Sequence, residues 1–459
     1  MSDRETEAAG GGVLSREAGE DRGGGPTLVR GLGTWDGALL TIGSIVGTGI
    51  FLTTSDMARV LPHPALILGV WLAGGLLTLA GALTYGELGA MFPRAGGMYH
   101  YLREAYGPLW GFLFGWAAFV VIMSGGIAAL GVAFGTYLVS FFPFISVKMA
   151  ACLAILVLTA INHLGLKEGA GVQNALTVLK IGSIVAFVAL GLLAPAPAGS
   201  DLAAPMGIAG GALLTAFGVA MIAALWTYDG WYGLTCSAGE LRDPGRSLPR
   251  GLILGTVIVI VLYMLLNLIY IRALSVPEMA GAARIGEAAA GVLFGPTGAR
   301  LVSLAVLIST FGCLSSTILY SSRIYLPMAE DGVFFRSLAE VHPRFRTPVR
   351  SLWAQTAWAL LLTLSGTYEQ LYTYVVFVSV MFHAATAAAV FVLRRTRPDH
   401  PRPYRTWGYP AVPALFILAC LLLVGNTLAE KPVESLLGLG LLALGLPAYL
   451  WFRKRTAAM

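Results

Sequence analysis

Long apolar runs separated by short polar loops dominate the chain from about residue 34 onward. They lie near 36–58, 64–91, 107–141, 147–163, 171–194, 209–236, 250–274, 297–327, 349–366, 369–393, 409–428 and 434–452. About 20 apolar residues carry a helix across a bilayer core. The runs are too long and continuous for barrel strands, and only helices or closed barrels satisfy their backbone in lipid. The pattern predicts an all-α multi-pass membrane protein with about twelve spans. The first 32 residues break it: they are polar, charged and glycine-rich, with no apolar stretch behind a basic start, and read as a solvated tail and not a signal peptide.

Composition agrees. Hydrophobic residues make up 57% of the 459 and charged residues 12%, against about 25% charged in a soluble domain. The net charge is +6, but the positive residues sit in short loops, a topological signal and not a nucleic-acid face. Arg4, Arg16, Arg22 and Arg30 of the tail, then Arg94 and Arg103, Lys167, Arg242, Arg246 and Arg250, then Arg323, Arg336, Arg344, Arg346 and Arg350, then Arg394, Arg395, Arg397, Arg402 and Arg405, then Arg453, Lys454 and Arg455 fall on the side of the N-terminal tail. Arg59, Lys148, Arg272, Arg284, Arg300 and Lys431 fall on the other. That asymmetry puts both termini in the cytoplasm and the protein in the cell membrane. The four cysteines show no CxxC or Cys/His spacing, so neither a disulfide framework nor a metal site is expected. No cofactor motif and no Walker-type GxxxxGK[ST] appears.

Two spans carry interruptions. The first contains Gly43-Ser44-Ile45-Val46-Gly47-Thr48-Gly49-Ile50-Phe51. Each glycine weakens a helix by about 1 kcal/mol relative to alanine, and the stretch falls near the bilayer midplane. A small-xxx-small packing motif is the competing reading. The sixth span carries Trp226-Thr227-Tyr228-Asp229-Gly230-Trp231-Tyr232-Gly233, with a carboxylate at membrane depth. If the first ten spans are two halves of five, spans 1 and 6 correspond, and paired interruptions there indicate an inverted-repeat transporter. Half-helix N-termini present N–H groups to a carboxylate, and half-helix C-termini present carbonyls to an ammonium. A zwitterionic amino acid carries both, with its side chain expected against an aromatic wall near Trp226 and Tyr228. Lys180, deep in the fifth span, is too far inside for easy snorkelling. It reads as a functional charge, either standing in for a bound cation or accepting protons.

Together these segments resemble the amino acid–polyamine–organocation (APC) superfamily from about Thr34 to Phe452. The carriers are GSIVGTGIF at 43–51, TYGELGAMFPRAGGMYHYLREAYGPLWGFLFGW at 84–116, QNALTVLKIGSI at 173–184, WTYDGWYGLTCSAGELRDPGRSLPRG at 226–251 and SSRIYLPMAEDGVF at 321–334. YDGW and GELRDPGRSLPR look most like the L-type amino acid transporter (LAT) subgroup and its prokaryotic relatives. The resemblance implies a 5+5 inverted-repeat core over 33–393, in halves 33–195 and 209–393, with residues 394–459 forming two peripheral helices and a cytoplasmic C-terminus. It implies that Gly47, Thr48 and Gly49, helped by Ser44 and Ile45, hold a substrate carboxylate. Backbone at Trp226, Thr227 and Tyr228, beside Asp229 and Gly230, would receive the amino group. Lys180 matches the family lysine linking spans 1 and 8 in sodium-independent members, and Tyr270 matches a tyrosine of the same region. Asp229 stands where many relatives carry Gly or Asp, so its charge is not a reliable substrate signal; a cationic substrate would need its carboxylate to face the cavity, and it is expected not to. Animal LAT proteins bond a partner glycoprotein through a cysteine in the loop between spans 3 and 4; here Phe141 to Lys148 has none, and no disulfide-linked heavy chain is expected.

The expectation is a sodium-independent secondary carrier of neutral L-amino acids working by exchange. The alternatives are a cationic amino acid or polyamine exchanger and a proton-coupled symporter. An enzyme would need clustered titratable groups at depth. Only His383 lies well within a span, and it reads as a packing or pore residue. A channel would not need two broken helices around a closed midplane site.

Overall fold

The computed structural model describes residues 31–94, 96–164, 169–195, 201–203, 205–342 and 347–457. The solvated-tail reading of residues 1–32 and several charges of the loop asymmetry (Arg4, Arg16, Arg22, Arg30, Lys167, Arg344 and Arg346) lie outside or at the edge of these segments. Among the described residues the regular secondary structure is helical, apart from one isolated backbone bridge between Leu32 and Leu241.

Eight helical runs are long and apolar enough to cross a membrane: Pro64–Met91, Pro108–Leu138, Gly210–Glu240, Pro244–Ala273, Ile285–Glu330, Tyr368–Thr396, Ala411–Glu430 and Pro432–Lys454. The shorter apolar helices Val147–His163 and Thr177–Leu193, the helix Val349–Ser365 and an interrupted first segment complete the twelve spans, numbered here in chain order. The interrupted segment runs Thr34–Ile45, then a single tight turn at Gly49–Phe51, then Thr53–Val60.

Three local features depart from the hydropathy pattern. Short helices at Met98–Tyr106 and Val276–Gly281 sit in loops that the pattern left featureless. The backbone of span 3 widens into one π-helical turn at Ala118–Ile122. Span 8 turns at Gly295, where φ is +72°.

Helix neighbours repeat between the halves. Span 1 packs on span 7, and its counterpart span 6 on span 2; span 3 packs on spans 9 and 10, and span 8 on spans 4 and 5. Span 1 packs on span 5 as span 6 does on span 10, and span 2 on span 10 as span 7 does on span 5. Each half holds five spans, an odd number, so span 6 enters from the face opposite to span 1. The two halves form a 5+5 inverted repeat. Of the eight long runs span 3 is the most enclosed, with 94% of its apolar stretch buried, whereas spans 11 and 12 bury 28% and 22% and face lipid.

Small residues bring the central helices together, as expected where lipid removes any hydrophobic gain from helix association. A side chain at Gly251 would lie 3.1 Å from the Gly37 backbone, and one at Gly255 would lie 2.7 Å from Thr41 Cβ. The close-packing glycine pair is thus Gly251-xxx-Gly255 of span 7 against span 1. At one end of the bundle, buried Glu87 of span 2 accepts two bonds from Arg394 of span 10, at 2.9 and 2.7 Å, and one from the Thr406 N–H at 2.7 Å. His383 is buried, 3.0 Å from the Tyr85 hydroxyl and ringed by Trp231 and Tyr232.

Candidate functional site

The first helix stops at Ile45 because its next residue, Val46, leaves helical geometry, at φ −73° and ψ 93°. Helix resumes only from Gly49. Among the described residues, the N–H groups of Gly47, Thr48 and Gly49 have no hydrogen-bond partner within the chain. Span 6 stops at Tyr228 in the same way: Asp229 is extended and Gly230 takes φ +92° before a tight helix resumes at Gly233.

The two breaks interlock. A Cβ on Gly230 would lie 2.5 Å from the Ser44 carbonyl oxygen, and a Cβ on Gly49 would lie 2.6 Å from Thr227 Oγ1 and 3.0 Å from its Cα. Only glycine permits these approaches, and at Gly230 the left-handed backbone adds a second reason. The Thr53 hydroxyl donates to the Gly49 carbonyl at 3.0 Å and lies 2.8 Å from Thr227 Oγ1. Tyr263 of span 7 binds both ends: its hydroxyl is 3.1 Å from the Ile45 carbonyl and 3.3 Å from the Thr227 carbonyl, so one proton is shared between the two broken helices. Sequence reasoning missed Tyr263. It lies two helical turns before Tyr270 on the same face of span 7, and nothing in its neighbours marks it.

Between the breaks is a cavity of about 50 Å³. A water needs roughly 10–15 Å³ of such space, so it holds three to five. It is lined by Ser44, Ile45, Gly47, Thr48 and Gly49 of span 1 and by Trp226, Thr227, Asp229 and Gly230 of span 6. Spans 3 and 8 supply Ile122, Met123, Gly126, Leu130, Cys313, Thr317 and Tyr320. Nine of the ten binding candidates read from the sequence thus converge on one cavity.

Tyr228 is the exception. Its hydroxyl donates to the Trp71 carbonyl at 3.2 Å, behind the break, so it forms no wall for a substrate. Asp229 is among the lining residues. Thr48 Oγ1 is buried and lies near the Tyr368 hydroxyl without making a full hydrogen bond. The walls from spans 3 and 8 were not read from the sequence. One signal was present: Cys313, Thr317 and Tyr320 recur at helical spacing on one face.

Aromatic groups close one side of the cavity. The Trp226 indole N–H donates to the Tyr368 hydroxyl at 2.8 Å, and its ring stacks on Tyr372 at 6.0 Å. The Tyr372 hydroxyl in turn donates to Asp56 at 2.9 Å, and Asp56 pairs with Arg59 at 2.9 Å.

Lys180 is 93% buried (7% exposed). Its ammonium donates to the Val46 carbonyl at 3.3 Å, at the end of the first half-helix. Tyr270 is buried beside Phe187, its hydroxyl without a partner, and does not line the cavity. Among the described residues no group of His, Cys, Asp or Glu could hold a metal ion.

Such a fold and site define a carrier with a closed midplane pocket of backbone groups. Residues 32–436 match the family model described as amino acid permease, and the chain belongs to that family. It is a multi-pass membrane transporter and not an enzyme. It is 34% identical over 435 residues to the serine/threonine exchanger SteT of Bacillus subtilis (strain 168), covering 91% of this chain and 96% of that one. It is 31% identical to the human b(0,+)-type amino acid transporter 1, covering 88% and 84% of the two chains. It is also 29% identical to the human large neutral amino acids transporter small subunit 2, covering 95% and 82%.

Proposed function

We propose that this chain is a sodium-independent exchanger of small neutral L-amino acids that works by alternating access. The observation that carries this reading is the pair of interlocked helix breaks with unpartnered N–H groups at Gly47, Thr48 and Gly49. These groups, at the positive end of the second half-helix, take the substrate carboxylate. Ser44 and Ile45 frame it, and the span 6 backbone at Trp226 and Thr227 takes the ammonium, with Asp229 adding negative charge beside it. The side chain enters the space at Met123, Gly126, Cys313 and Thr317. Small substrates fit a cavity of about 50 Å³, and the similarity to a serine/threonine exchanger supports the same choice. Lys180 supplies a fixed positive charge against the Val46 carbonyl, where a sodium-driven carrier would place an ion; this supports sodium independence.

Asp229 on the cavity wall favours a second reading, exchange of cationic amino acids or polyamines. The cavity volume weighs against it, since arginine and lysine carry long side chains. The loop charges support cytoplasmic termini in the cell membrane. With no cysteine between Phe141 and Lys148, the chain works without a disulfide-linked heavy chain.

The test is counterflow by the purified chain alone in proteoliposomes, with labelled serine, leucine and arginine, with and without sodium or a pH gradient. Serine exchange indifferent to sodium and to the pH gradient is expected. Arginine exchange without serine exchange would replace the substrate class, and strict dependence on a pH gradient would replace exchange by proton symport.

A further inference from the structure

A second cavity, about 230 Å³, lies behind the first break between spans 5 and 8 and shares no residue with the cavity between the breaks. Its mouth opens between Leu179, Leu301 and Ile308, which are 58%, 63% and 47% exposed. In a membrane these side chains face hydrocarbon. The walls are apolar apart from Ser183, whose hydroxyl donates to the Leu179 carbonyl at 2.8 Å, yet the buried end carries Lys180 and Ser309. Residue 180 lies 11 residues from Gly169 and 13 from Leu193, so at 1.5 Å per residue it stands roughly 16–20 Å from either helix end, near the bilayer midplane.

Polar groups at this depth are costly unless they are satisfied. The Lys180 ammonium has three N–H donors and spends one on the Val46 carbonyl. Ser309 is 7% exposed, and its hydroxyl has no partner. A buried cation and a free hydroxyl at the blind end of a lipid-facing groove want a ligand with two adjacent acceptor oxygens and a single apolar tail. The space holds roughly 15 to 23 water-sized units at 10–15 Å³ each, the scale of one acyl chain with its head.

We infer that this groove is a binding site for a long-chain carboxylate entering from the lipid, one oxygen on Lys180 and the other on Ser309. A phospholipid fits less well, since its charged head stays at the interface, and a sterol offers one hydroxyl where the site has two donors.

A photoactivatable diazirine analogue of oleate, cross-linked to the purified full-length protein and mapped by mass spectrometry, tests this. Saturable labelling of spans 5 and 8 is expected. Oleate should compete at a concentration at least tenfold below that of methyl oleate or cholesterol. Ala305→Trp, which fills the groove, should abolish the labelling while amino acid exchange in fatty-acid-free liposomes persists. Ser309→Ala should weaken competition by oleate at least threefold. Unsaturable labelling spread over the lipid-facing surface, equal competition by methyl oleate, or stronger competition by cholesterol would overturn the assignment.

Discussion

Replacing Gly230 with alanine tests whether the two broken helices bear on each other as described. The new methyl group meets the Ser44 carbonyl oxygen at 2.5 Å and the Ser44 carbonyl carbon at 2.9 Å. Both are backbone atoms of the opposing break, so no side-chain rotation relieves the contact. The residue also sits at φ +92°, a left-handed backbone that costs a non-glycine residue about 1–2 kcal/mol. Overpacking adds about 1–3 kcal/mol. Together they come to about 2–5 kcal/mol, which at 1.36 kcal/mol per tenfold is a factor of roughly 30 or more. The assay is serine counterflow normalised to reconstituted protein, with a thermal melt of the same preparation. We expect at least a tenfold loss of exchange and a lowered melting temperature. Gly126→Ala is the paired control: a Cβ there meets nothing within 4 Å, so it should melt like the parent. If Gly230→Ala melts and exchanges like Gly126→Ala, the breaks are not in contact and the reasoning fails.

Other outcomes follow from the same geometry. Gly126→Leu places a side chain in open space on the cavity wall. It should leave the melt unchanged and cut serine exchange at least tenfold; an unaltered serine KM would contradict the assigned side-chain space. Tyr263→Phe strips the shared proton from the Ile45 and Thr227 carbonyls. Buried groups left unsatisfied cost about 1–3 kcal/mol, so a lowered melt with five- to hundredfold slower exchange is expected, and a parental phenotype would remove Tyr263 from the site. Glu87→Gln leaves Arg394 without its carboxylate partner at a cost on the order of 3 kcal/mol. Reduced membrane abundance is expected, with the surviving protein keeping its serine KM; an altered KM with normal abundance would mean that this pair belongs to the transport cycle and not to the scaffold. Lys180→Ala removes a charge bonded to the first break and should abolish exchange in sodium-free medium. Recovery of exchange by sodium in that variant would show an ion filling the place of the amine, whereas exchange at the parental rate would remove Lys180 from the transport machinery.

The spans were legible because lipid imposes one solution on every apolar run of sufficient length. The breaks were legible because glycine triplets and Asp229-Gly230 contradict helix propensity inside such runs. Neighbour relations were not. Tyr263 looks like any aromatic residue of an apolar helix, and its role depends on span 7 passing behind both breaks. Tyr228 illustrates the converse: beside the break in sequence, it is rotated toward Trp71 by the last helical turn. The wall from spans 3 and 8 escaped because glycine, methionine, cysteine and threonine in an apolar helix are as common in packing as in binding. For the first glycine pair, Gly43-xxx-Gly47, a packing motif was the competing reading; the nearest atoms of other helices to a Cβ on Gly47 would be Cys313 Sγ at 3.4 Å and Leu130 Cδ2 at 3.8 Å, whereas Gly251 and Gly255 carry the tight helix crossing.

The central claim is that backbone N–H groups at the first break hold the substrate's carboxylate. An experimental structure of the wild-type protein with bound serine addresses it most directly. The account predicts the carboxylate within hydrogen-bond distance of the Gly47, Thr48 and Gly49 nitrogens, and the ammonium against the span 6 backbone near Trp226 and Thr227. Serine bound elsewhere, or bound here with its carboxylate turned toward Lys180 and its ammonium on span 1, would contradict it.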